Sequence, residues 1–188
     1  VNLDPSEKVW FERVGANRSY SHFIYKDVLF LLMSTEDPPK RDPSEDLADK
    51  YERVKAGKVS SHEESKAIIM ELEAWAGQVS ISDAQVEYFK KVLAANPKVR
   101  WTIGFMHSPA WVQEDPGNFV KIESLLADRP YTMFAGHTHT YNYTRRNGRD
   151  YITMAITGGA VPGKTVGHMD HVAWVTMTDK GPVISNLL

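Results

Sequence analysis

Six consecutive residues, Val28 to Met33, carry no polar side chain. A strand of that kind has no face to offer to water, so it is expected to be buried on both faces. No other stretch constrains the fold as strongly, because elements must be found for both sides. Just upstream, Tyr20 to Tyr25 reads as a strand of aromatic and β-branched residues. Lys26-Asp27 then reads as the two-residue turn of a β-hairpin.

The rest of the chain alternates between helical and strand periodicity. Glu64 to Ala76 places Ile68, Ile69, Leu72 and Trp75 on one helical face. Ser82 predicts the N-cap of a helix over Asp83 to Ala95. In that helix Val86, Phe89 and Leu93 share a face, with Val92 beside them. Asp83 and Glu87 fall early and Lys90 and Lys91 late, as the macrodipole favours, and Asn96-Pro97 closes the helix. Arg100 to Met106 reads as a strand, and Asn118 to Ala127 as a helix with Phe119, Ile122, Leu125 and Leu126 inward. Tyr131 to Ala135 is a further strand. Thr140 to Arg145 and Asp150 to Ile156 pair across Asn147-Gly148, a strong hairpin pattern. Gly158-Gly159 breaks the chain, and a last hairpin joins His171 to Met177 with Pro182 to Asn186. Residues 35–61 differ in character: about half are charged, and Pro38, Pro39 and Pro43 lie near the start. They read as a charged insertion or loop with a short helix around Glu45 to Lys55. The mixture predicts an α/β or α+β fold.

Composition narrows the function classes. The 188 residues make one domain, 1–188, and 42% hydrophobic content excludes disorder along its whole length. No run approaches about 18 apolar residues, so no membrane-spanning helix is expected. A net charge of -2 gives no global attraction to nucleic acid. The absence of cysteine excludes disulfides, thiolate catalysis and Cys-based zinc sites, and leaves the compartment open. Asn17-Arg-Ser19 and Asn142-Tyr-Thr144 match glycosylation acceptors, a pattern short enough to arise by chance.

Chemistry concentrates in the histidines. Of seven, His107, His137 and His139 fall where two predicted strands end, the place where ligands bind in α/β sheets. In extended backbone, His137 and His139 would point to the same side, and Gly136 lets the backbone approach a neighbour closely. Three converging imidazoles suggest a metal site, although a His-x-His alone also serves ordinary hydrogen bonding. His22 and His62 read as strand or surface residues. His168 and His171 read as either a site wall or plain loop.

The segments Trp101 to Pro109 (WTIGFMHSP) and Phe134 to His139 (FAGHTH) resemble the later motifs of the calcineurin-like metallophosphoesterases. The helix carrying Ser82, Gln85 and Leu93 is similar too, as are Gly158-Gly159 and the strand His171 to Val175. The resemblance covers roughly Tyr20 to the end, with 35–61 as a variable insertion. It implies part of a two-sheet sandwich with flanking helices and a binuclear centre at strand ends. By position, His107 and His137 would ligate one metal and His139 the other; no catalytic or substrate-binding residue is assigned. The implied activity is hydrolysis of a phosphate-ester substrate using two divalent ions, Mn, Fe or Zn.

The chain departs from that family at its early motifs. Asp-x-His, Gly-Asp-x-x-Asp and Gly-Asn-His are all absent. The resemblance therefore implies the C-terminal portion of a longer phosphoesterase domain, inactive alone. Three neutral imidazoles cannot offset two divalent cations that repel each other at close range. At most one weakly bound ion, Zn²⁺ or Ni²⁺, is expected. The alternatives are a non-catalytic binding module and a His-only mononuclear metal-binding domain. Part of a sandwich would leave an edge or apolar face open, which predicts a homodimer or association with the missing N-terminal part.

Overall fold

The computed structural model describes residues 18–38, 42–158 and 166–188. The all-apolar strand finds its neighbours in a six-stranded sheet. β1 (Ser21–Tyr25) and β2 (Val28–Leu32) form the expected hairpin. Lys26 and Asp27 both adopt positive φ, 47° and 59°, the conformation that a tight two-residue turn demands. Then come β5 (Trp101–Phe105), β6 (Tyr131–Ala135), β8 (Arg149–Thr153) and β7 (Asn142–Arg146), in the spatial order β1-β2-β5-β6-β8-β7. β2, β5, β6 and β8 run parallel, while β1 and β7 are antiparallel edge strands. Asn147 and Gly148, at φ 51° and 71°, make the β7–β8 turn.

Four helices are described: α1 (Glu45–Lys55), α2 (His62–Gly77), α3 (Asp83–Ala95) and α4 (Phe119–Leu125). The Ser82 hydroxyl accepts from the Gln85 N–H, capping α3 as the sequence predicts. On one face of the sheet, Val86, Phe89 and Leu93 of α3 and Phe119 and Ile122 of α4 bury Leu29, Leu31, Met133 and Tyr151. Area removed from water contributes about 1.5–3 kcal/mol for each such large side chain. Gly104 of β5 serves this face, since a Cβ there would sit 2.4 Å from the Met133 sulfur.

The other face is covered by strands, and only in part. β9 (Val172–Thr178) and β10 (Gly181–Leu187) form an antiparallel hairpin. Its Val175, Met177 and Ile184 pack on Val28, Ile103, Phe134 and Ile152. His171 fastens its base: Nε2 accepts from the Ala155 N–H at 3.0 Å, and Nδ1 lies 3.2 Å from the Asn186 side-chain oxygen. Mixed helices and strands of mixed orientation make an α+β fold, as expected.

Local departures have physical causes. Leu32 is 37% exposed and Phe30 half-buried, because the two-stranded hairpin does not reach β2 over its full width; the run is not buried on both faces throughout. Ile69 is exposed, since α2 packs mainly against α1 rather than on the sheet. Residues 35–61 hold more than a loop. Besides α1 they contain β3 (Glu36–Asp37), which pairs in parallel with β4 (Ser80–Ile81). Gly159 of the predicted Gly-Gly break lies outside the described residues.

Candidate metal site at the strand ends

The ends of β5 and β6 are tied together beyond the last strand residues. The Met106 N–H donates to the Phe134 carbonyl at 3.0 Å, and the Gly136 N–H donates to the His107 carbonyl at 2.8 Å. His107 and His137 therefore leave adjacent parallel strands side by side. His107 Nε2 lies 3.2 Å from His137 Nδ1, with the rings edge-to-face at a centroid distance of 5.1 Å. His107 is exposed and His137 partly so, open to solvent and ligand.

That separation matches two ligands on one ion. With bonds near 2.05 Å, ligand nitrogens stand about 2.9 Å apart at a right angle and about 3.4 Å at the tetrahedral angle. The same distance is that of a ring-to-ring hydrogen bond, so the pair is compatible with either partner. The third histidine is arranged differently from the expectation. His137 and His139 have φ of 68° and 53°, so residues 137–140 form a bend and not the extended backbone whose period-two alternation would align both rings. His139 is exposed on that bend. Among the described residues, no three His, Asp or Glu side chains come together as a metal-holding group. No carboxylate among the described residues joins the His107–His137 pair in such a group.

The surroundings are apolar on one side. A cavity of about 430 Å³ lies between the main sheet and the β9–β10 hairpin, lined by Phe105, Phe134, Met154 and Val175 with His107 at its rim. On the other side, the last residue of α2, Gly77, abuts the His137 ring. Beneath the site, Ser108 is fully buried; its N–H donates to the Thr35 hydroxyl, while its own Oγ finds no partner among the described residues.

Three of the remaining histidines, His22, His62 and His171, have structural surroundings. His22 Nδ1 is 2.6 Å from the Tyr88 hydroxyl. Burial and the nearby Arg18 charge hold its pKa below the ordinary imidazole value. His62 begins α2 on the surface. His171 is the hairpin fastener, 4% exposed, and not a wall of the site. A separate polar cluster at the other end of β6 escaped sequence reasoning. Arg146 donates to both Glu123 oxygens at 2.6 and 3.0 Å, Tyr151 donates to Oε1 at 2.6 Å, and Tyr131 reaches the Tyr151 hydroxyl at 2.7 Å. Burial raises the Glu123 pKa, but hydrogen bonds from Arg146 and Tyr151 and the Arg146 charge outweigh it, leaving the carboxyl below its ordinary value.

Comparison with known families finds no family model that matches this chain, and a search of curated proteins finds no match either.

Proposed function

We propose that this chain supplies the later histidine ligands of a metal-dependent phosphate-ester hydrolase. His107 and His137 grip one divalent ion, and His139 is offered to a second ion held chiefly by carboxylates from outside the described residues. One observation carries this reading: two imidazole nitrogens 3.2 Å apart at the carboxyl ends of adjacent parallel strands. Loops at strand ends are the usual ligand site of open α/β sheets. When bound, a pair of divalent ions would polarise a phosphoryl oxygen and lower the pKa of a bound water. The chain's own residues hold the imidazoles in place and line one side of the site with Phe105 and Phe134. Without acid groups the chain alone is expected to be inactive.

The test is calorimetric titration of the 188-residue chain with Zn²⁺ and Mn²⁺. The expected result is at most one weak Zn²⁺ site, abolished by His107→Ala or His137→Ala. Two tight sites per chain would refute the reading. A second reading is a mononuclear His-only site begun by the His107–His137 pair. In that case one Zn²⁺ binds tightly without any added polypeptide.

An open apolar face supports a polypeptide partner. Phe23, Phe30, Phe105 and Phe134 stack in a row across β1, β2, β5 and β6, with successive centroids 4.5, 6.5 and 5.4 Å apart. Phe23, Tyr25, Leu32 and Phe105 of this region remain exposed. Contiguous apolar surface of this kind marks association sites. The candidates are a second copy and the segment that brings the carboxylates.

A further inference from the structure

α2 belongs to the charged helical pair that connects β3 to β4, and its final residue is Gly77. Glycine is the weakest helix former short of proline, and alanine the strongest. Gly77 is the terminal helical residue, where that penalty is small, so propensity alone does not account for it. Backbone conformation is not the reason, because Gly77 lies outside the positive-φ range that side chains avoid. Space is the reason. A Cβ at Gly77 would stand 3.2 Å from His137 Nε2 and 3.8 Å from His137 Cδ2, and apart from its chain neighbours and its own helix it would meet nothing else within 4 Å among the described residues. The same ring presents its other nitrogen, Nδ1, to His107.

We propose that Gly77 is a positioning residue for His137. The bare end of α2 closes against the Nε2 edge of the ring and so fixes the direction in which Nδ1 faces His107. The α1–α2 pair then becomes a wall of the site, and not a solvated insertion remote from it. The metal-affinity consequence rests on the function proposed above; the ring contact itself does not. A Cβ at 3.2 Å must displace the ring by a few tenths of an ångström, and the branched side chain of valine must displace it further. Hydrogen-bonding groups that orient a ligating imidazole are worth about 10- to 100-fold in metal affinity, and a steric stop on the ring acts on the same orientation.

The experiment uses the full 188-residue chain, ¹⁵N-labelled, with imidazole resonances of His137 assigned by loss in His137→Gln. Gly77→Ala is expected to shift the His137 ring resonances, and Gly77→Val to shift them more, while those of His22 stay in place. Zn²⁺ affinity should fall about tenfold or more in Gly77→Val. Ala74→Gly, an exposed change on the same helix, separates positioning from helix stability. It weakens α2 without approaching the ring and is expected to leave His137 unmoved. Unchanged His137 resonances in both Gly77 variants would overturn the proposal, as would equal shifts in Ala74→Gly. Should the wild-type chain take up no Zn²⁺, the metal reading falls, and the ring resonances still decide the role of Gly77.

Discussion

Away from the histidines, Glu123 is 8% exposed and held by Arg146 and the Tyr151 hydroxyl. Its carboxyl titrates lower in the folded chain than in the unfolded one. The linked stabilisation is therefore present above the unfolded value, near pH 4.5, and lost as pH falls through the folded value. Glu123→Gln keeps the shape and removes the charge. It should cost about 1–3 kcal/mol at pH 7, a range that allows for solvent reaching the half-exposed Arg146. Urea unfolding at pH 7 and at pH 3.5 checks this; the gap between variant and wild type should narrow in acid. Nothing in the sequence marked Glu123, because its partners come from β7 and β8, more than twenty positions away. Separation along the chain also hid the role of His171. Its partners, Ala155 and Asn186, lie 16 and 15 positions away.

At the scale of elements, turns and caps were legible because their determinants are local. Ser82 and Asn147-Gly148 act within a few residues, and the structure has the expected cap and hairpin there. The β1–β2 turn is locally less suited to its role. Lys26 and Asp27 both occupy left-handed backbone, which costs a residue with a side chain roughly 1 kcal/mol relative to glycine. Replacing the pair by Asn-Gly should raise stability by about 1 kcal/mol, read as a higher thermal midpoint with the sheet intact by circular dichroism. Pairing of β3 with β4 was not legible. Two-residue strands carry no periodicity, and their partners are some 44 positions apart in the chain. The expectation for His137 and His139 failed for a related reason: spacing by two aligns rings only if the backbone is extended, and both residues turn left-handed instead.

For the whole molecule, the two faces of the main sheet are unequal. Helices seal one, while the hairpin leaves the phenylalanine row half-bare on the other. The alternation of apolar residues announced buried faces, but which cover lies over each depends on long-range assembly. At micromolar concentration the chain should self-associate, and Phe105→Ser should shift its sedimentation toward monomer. A wild-type monomer at high concentration would show that the row tolerates water. The ladder at the end of β5 and β6 has a further consequence. Met106 and Gly136 stitch the strands right up to the two imidazoles, so the gape of this jaw belongs to the sheet and not to a slack connection. On the proposed metal reading, a jaw of fixed gape would favour ions bonded near 2 Å over Ca²⁺, whose contacts of about 2.3–2.6 Å are to oxygen.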